Sequence, residues 1–432
     1  MPQPAQHIPS SPSNPGRKPF SIRRLWRKLG PGLVTGASDD DPSGIATYSQ
    51  AGASFGLATL WTAWITYPLM ASIQEICARI GLVTSRGLTG TLKAYYPKPV
   101  LYIMILFSFP AIIMNIGANI AAMGAVGQMV FPRVDASYFS VLFTVILLVF
   151  IIYLPYRRFA SVLKYLCMAL LVYILVPFLY THDWSDVARA AFIPEFRFDR
   201  DFIAVLVAIL GTTISPYLFF WQATMEVEEM KHKERKVIVD KRIIGAMNRD
   251  VNIGMLFSNI IMFFIILTTG SVLYQAGIHD IKTVDEAALA LKPLAGNMAY
   301  LLFAIGIIGT GLLAIPVLSG SLSYMICETF DLELGLDKKF SEARPFYSII
   351  AVSLLIGLTL NYVGITPVQG LIYSAMLYGV TAPILIAIIL HIGNNKKVMG
   401  EFTNGCFSNT LGILALLLMT AAAVLLLYFE FF

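Results

Sequence analysis

Residues 30–54 read GPGLVTGASDDDPSGIATYSQAGAS. Both flanks are small and apolar, like the two ends of one membrane helix, yet the middle carries Asp39, Asp40, Asp41, Pro42 and Gly44. A charge at the centre of a bilayer costs about 2.5–3.5 kcal/mol on insertion scales, so such a residue needs a partner or a water-filled cavity. Pro42 has no N–H and Gly44 tolerates unusual dihedrals, so the helix is expected to break here and to free backbone carbonyls. No Lys or Arg occupies the middle of another span to pair with the aspartates, and a bound cation is the natural counter-charge.

The rest of the chain supports a membrane setting for this stretch. It has 432 residues, 57% hydrophobic and 13% charged, with mean hydropathy +0.72; a soluble domain carries about 25% charged residues. Eleven apolar spans are expected, at 30–54, 57–80, 99–130, 137–156, 161–181, 202–229, 250–275, 297–327, 346–363, 366–392 and 409–431. The connecting segments on the N-terminal side hold 25 Lys and Arg, and the opposite loops hold 6. That asymmetry predicts a cytoplasmic N-terminus and an external C-terminus. Residues 1–28 are Pro- and Ser-rich and then basic, and are expected to be a disordered cytoplasmic lead-in without a signal peptide. The net charge of +5 follows topology and implies no nucleic acid. The four cysteines have no paired spacing and read as small buried residues. No nucleotide-binding loop, nucleophile–base pair or zinc spacing appears, so neither an enzyme nor a cofactor is expected.

A second break is expected in span 6, where ILGTTISPYLFFW places Pro216 in mid-span. Five spans separate the two breaks, so the second copy is inverted. Interrupted spans at matching places of inverted halves point to a transporter site at the bilayer midplane. Around Pro216 lie Thr212, Thr213, Ser215 and Tyr217, which offer hydroxyls but no sulfur or imidazole. With Ser38, Ser43 and the freed carbonyls they make a hard, oxygen-rich ligand set, suited to Mg2+, Ca2+ or Mn2+. Consecutive residues point in different directions, so Asp39, Asp40 and Asp41 cannot all ligate one ion.

These motifs resemble the NRAMP family of divalent metal transporters. GPGLVTGASDDDPSG is similar to that family's first-span motif, with Asp41 on its metal-binding aspartate. QEICARIGLVTSRGL resembles its second-span pattern through Gln74, Ala78, Arg79, Gly81, Thr84 and Leu88. LLFAIGIIGTGLLAIPVLSGSLSYMICETF resembles its eighth span. The resemblance implies an all-α, LeuT-type 5+5 inverted repeat with discontinuous helices 1 and 6 and about 11 transmembrane helices. The first repeat would be 29–181, the second 202–392, and 409–432 an additional helix.

The departures from the family pattern narrow the expectation. Asp-Pro-Gly-Asn becomes Asp41-Pro42-Ser43-Gly44, and Met-Pro-His becomes Ser215-Pro216-Tyr217. In span 3 the family's acidic residues are replaced in IIMNIGANIAAMG by Asn115 and Asn119. The combination resembles the NRAMP-related magnesium transporter branch. It implies transport of Mg2+ and Mn2+ without the family's usual proton route, in a pocket that Gly44 and Ser215 enlarge for a partly hydrated ion.

Tyr217, Asn115, Asn119, Gln369 and Glu226 are candidates for a second layer or a pathway. Glu226 competes with a reading as a solvated helix end beside Glu228 and Glu229, and Tyr48, Ser49 and Gln50 could line an outer vestibule. The expected partners are divalent ions and the bilayer of a bacterial plasma membrane, with a monomer as the expected state. The alternatives are a proton-coupled Mn2+/Fe2+ importer, a sodium-coupled organic solute symporter on the same fold, and a sensor that binds without transporting.

Overall fold

The computed structural model describes residues 31–154, 168–180, 183–232, 239–362 and 364–431. The basic lead-in 1–28 and the first seven residues of the fifth expected span, 161–167, lie outside the described residues; from Met168 to Tyr180 that span is helical.

The first span is broken where the sequence predicts. Helix α1 (Pro31–Asp39) stops, and α2 (Pro42–Phe55) starts after Asp40 and Asp41. Asp41 is the N-cap of α2 at φ −71°, ψ 169°, and its Oδ1 accepts the Gly44 N–H at 2.8 Å. Pro42 takes the first helical position, where a missing N–H costs nothing. After α3 (Thr62–Thr84) come two long helices, α4 (Lys98–Val130) and α5 (Ala136–Tyr153). The sixth span is likewise split, into α6 (Arg200–Thr213) and α7 (Pro216–His232), with Ile214 and Ser215 between them. The remaining long helices are α8 (Lys241–Thr269), α9 (Ala299–Phe330), α10 (Arg344–Leu360), α11 (Pro367–Asn394) and α12 (Cys406–Phe431).

Proline alone does not cause the breaks. Pro68, Pro110, Pro316 and Pro383 all lie inside continuous helices. Membrane helices tolerate such residues because neighbours re-satisfy the freed groups. At Pro42 the preceding aspartate caps a new helix; at Pro216 the preceding Ile214 leaves helical geometry at φ −103°, ψ 61°.

Seven of these helical segments are long and apolar enough to cross a membrane, counting α6 and α7 as one. The others are shorter, interrupted, or, like α3 with Gln74, Glu75 and Arg79, more polar.

One packing relationship positions the first break. α1 lies against α8 with almost no side chain between them. A Cβ on Gly32 would sit 2.7 Å from Val251 backbone, and one on Gly36 would sit 2.2 Å from the Gly254 carbonyl oxygen. Small residues four apart permit this approach, the usual means of close helix packing in membranes. The register then carries Asp39, the last residue of α1, and Asp40 just after it to Ser258, the next turn of α8. The N-terminus of α1 is tied to the same helix, since Gly32 N–H donates to Asp250 Oδ2 at 2.7 Å.

Candidate cation site at the paired helix breaks

The two breaks lie side by side and are stitched crosswise. Tyr217, at the start of α7, donates its hydroxyl to the Ser38 carbonyl at the end of α1, 2.9 Å away. Ser43, at the start of α2, meets Thr212, at the end of α6, with hydroxyls 3.3 Å apart. Tyr48 and Thr213 repeat that second link one turn on, at 3.1 Å. Each half-helix of one span is thus bonded to the opposite half of the other.

The three aspartates are all buried, each only 1% exposed, and they divide into two environments. Asp41 faces α4. Its Oδ2 accepts from Asn115 Nδ2 and Asn119 Nδ2, each at 3.1 Å, while Oδ1 caps α2. Asn115 and Asn119, four apart on one helical face, also bond to each other at 3.3 Å, and Ser374 of α11 donates to Asn115 Oδ1 at 3.2 Å. Asp39 and Asp40 face α8 instead. The Ser258 hydroxyl reaches Asp39 Oδ2 at 2.7 Å and Asp40 Oδ1 at 3.2 Å. Asp39 Oδ1 and Asp40 Oδ2 are buried without a hydrogen-bond partner. Among the described residues no ion pair involves any of the three, and no group of three His, Cys, Asp or Glu side chains converges on one point.

Other expected site residues fall into place differently. Ser215 is buried beside the second break, but its hydroxyl turns back to the carbonyls of Thr212 and Gly211, closing the end of α6. Ser38 donates its side chain to Val34 O at 2.8 Å, so its carbonyl rather than its hydroxyl serves the break. Gly44 does not open the room expected of it. A Cβ there would meet Asp39 O at 3.2 Å and the Tyr48 ring at 3.3 Å, so in this conformation the ring and the carbonyl have closed over the space.

Gln369 is the clear misplacement. It is exposed in the first turn of α11, where its backbone N–H bonds to the Thr366 side chain. The residues of α11 that reach the site are Ser374 and Tyr378, one and two turns further along. Tyr378 is fully buried and its ring lies 5.8 Å from that of Tyr217.

Glu226 is 6% exposed, which replaces the solvated helix end with a buried group. It accepts from Gln222 Nε2 at 2.9 Å, and Gln222 Oε1 in turn accepts from Thr35 of α1 at 2.6 Å. At the other end of the span, Tyr48, Ser49 and Gln50 are buried rather than lining an open vestibule. Gln50 accepts the Ile281 N–H at 2.9 Å and donates to the His279 carbonyl at 3.2 Å, tying α2 to the segment after α8. The aspartates are therefore closed off from both sides.

Ser258, Ser374 and Gln222 carry no signal of a site in the sequence. Each is one polar residue among several in its helix, and only its neighbours across the interface give it meaning.

A buried, oxygen-rich site between two broken helices of an all-α chain defines a membrane transporter of the LeuT type rather than an enzyme. Comparison with known proteins agrees. The structure of Mhp1, a nucleobase-cation-symport-1 family transporter, in a closed conformation superposes with a TM-score of 0.56 at 14% identity, covering 96% of each chain. That of a manganese transporter from Eremococcus coleocola superposes with a TM-score of 0.75 at 16% identity, covering 94% of this chain and 88% of that one. A divalent metal cation transporter, MntH, from Mesorhizobium japonicum is 23% identical over 419 residues, 95% of this chain and 89% of that protein. The chain belongs to the Nramp family, whose profile, natural resistance-associated macrophage protein-like, matches residues 32–429.

Proposed function

We propose that this protein moves divalent cations, with Mg2+ and Mn2+ as substrates, across a bacterial plasma membrane by alternating access, without the proton route of its family. The observation that carries this reading is the burial of three carboxylates at the first break with no ion pair among the described residues. Each buried charge is costly in a membrane, and a divalent cation offsets that cost. The likeness to divalent metal cation transporters and to a manganese transporter supports the same class of substrate.

The finer assignment rests on ligand chemistry. The groups at the breaks are carboxylates, hydroxyls, carbonyls and the amides of Asn115 and Asn119. The Met262 sulfur that reaches α6 accepts from Thr213 at 3.7 Å, not from a residue of the first break. Hard oxygen donors favour Mg2+ and Mn2+, and soft donors are what favour later transition metals. With asparagines where the family carries acids, α4 offers no side chain at these positions to take a proton. The crosswise links support a reading of 29–181 and 202–392 as inverted repeats, and the Lys and Arg asymmetry supports a cytoplasmic N-terminus.

The test is Mn2+ influx into proteoliposomes, with Mg2+ as competitor and a pH dye inside. Suppression of Mn2+ entry by low-millimolar Mg2+ at constant luminal pH is the expected result. Indifference to Mg2+ with luminal acidification would establish the proton-coupled Mn2+/Fe2+ alternative.

A further inference from the structure

We propose that the two breaks hold a second divalent-cation position, made by Asp39, Asp40 and Ser258 on the α8 side and distinct from that at Asp41. This rests on the reading of the protein as a divalent-cation carrier and divides its site in two.

The argument is a count of donors and charges. Asp41 has three protein donors for its two oxygens: Gly44 N–H, Asn115 and Asn119. It also caps α2, and a helix N-terminus carries the equivalent of roughly half a positive charge. In this closed conformation Asp41 is supplied without an ion. Asp39 and Asp40 are not. Four carboxylate oxygens share the one proton of Ser258, and two of them, Asp39 Oδ1 and Asp40 Oδ2, have no partner in residues only 1% exposed. They also stand at the C-terminal, negative end of α1, which adds to the local field. A buried acceptor left unpaired costs about 1–3 kcal/mol, and more when charged.

Two carboxylates and a hydroxyl match one hard divalent cation in charge and in donor type. The Gly32 and Gly36 contacts that draw α1 onto α8 bring the third ligand to the pair. The ion rests on Asp39, Asp40 and Ser258 while the site is closed, and Asp41 takes it when Asn115 and Asn119 release that carboxylate.

Mn2+ binding to the purified full chain, by equilibrium dialysis and by the low-temperature EPR of the bound ion, tests this. In Asp39→Asn/Asp40→Asn saturable binding is lost. In Asp41→Asn uptake is lost, but the Kd rises only by about the 10–100-fold typical of an outer neighbour. Wild-type affinity in the double variant, or complete loss of binding in a folded Asp41→Asn protein, overturns the second position and leaves divalent transport standing. Absence of Mn2+ and Mg2+ binding in the wild type overturns both. If the double variant does not fold, Mn2+ anomalous density in wild-type crystals decides. A peak between the Asp39 and Asp40 carboxylates supports the proposal, and a peak on Asp41 alone overturns it.

Discussion

The Tyr217 hydroxyl donates to the Ser38 carbonyl across 2.9 Å, and so joins the end of α1 to the start of α7. The carbonyl belongs to the last turn of a helix whose partners in the next turn are missing. Tyr217→Phe keeps the ring and its packing against Tyr378 but leaves that buried carbonyl unpaired, at about 1–3 kcal/mol. If the closed state needs both stitches, the variant folds, yet its Mn2+ uptake rate falls by about tenfold or more. Radioisotope uptake alongside thermal melting in detergent checks this; unchanged uptake would show the stitch to be dispensable.

The close approach of α1 and α8 yields a sharper test, with a built-in control. Gly36→Ala would place a Cβ 2.2 Å from the Gly254 carbonyl oxygen, in contact with backbone that cannot rotate away. Overpacking of this kind costs about 1–3 kcal/mol, and here it also pushes Asp39 and Asp40 off Ser258. The expected outcome is a lower melting temperature together with loss of Mn2+ binding. Gly245→Ala, on the same α8, meets nothing within 4 Å and is expected to bind Mn2+ as the wild type does. Equal behaviour of the two variants would remove the packing argument.

These two sites also mark how far the sequence could be read. The first break was legible because Asp-Pro-Ser-Gly puts buried charge, a missing donor and a glycine in one span, and the second because Pro216 falls at the matching place of the inverted half. The prolines at 68, 110, 316 and 383, which have no such counterpart, stay inside helices. The matching of Asn115 and Asn119 to Asp41 was legible only as a shared helix face, because their target lies 74 and 78 residues away. Ser258 was not legible at all: one hydroxyl in GMLFSNIIMFF gains its role from the register of α8 on α1. Gly44 misled, since an absent side chain reads as space, and the Tyr48 ring occupies it.

Residue 369 illustrates a register error that a paired experiment exposes. Gln369 is exposed in the first turn of α11, whereas Ser374 is buried and bonded to Asn115. Gln369→Ala is expected to change stability by no more than about 0.5 kcal/mol, as for ordinary surface positions, and to leave the KM for Mn2+ unaltered. Ser374→Ala removes one of the two donors to the Asn115 carbonyl, leaving Asn119 as the other, and loosens the hold that keeps the Asn115 amide on Asp41. Its KM is expected to rise severalfold. A KM effect from Gln369 and none from Ser374 would reverse the placement of α11.

Glu226 separates a structural charge from a conducting one. Its carboxylate accepts from Gln222, which accepts from Thr35 of α1, so the three link α7 to the half-helix beneath the aspartates. Glu226→Gln keeps an acceptor for Gln222 and removes the negative charge. Glu226→Ala removes both, leaving the buried Gln222 amide unpaired at about 1–3 kcal/mol. Clefts lined by one sign of charge concentrate counter-ions by about tenfold or more, so a carboxylate on the cation path is expected to set the rate of passage. Accordingly, Glu226→Gln should melt close to the wild type while its maximal Mn2+ uptake falls by about tenfold, and Glu226→Ala should lose both stability and uptake. Wild-type uptake in Glu226→Gln with destabilisation confined to Glu226→Ala would assign Glu226 to holding α7 against α1, and the path of the cation would then lie elsewhere.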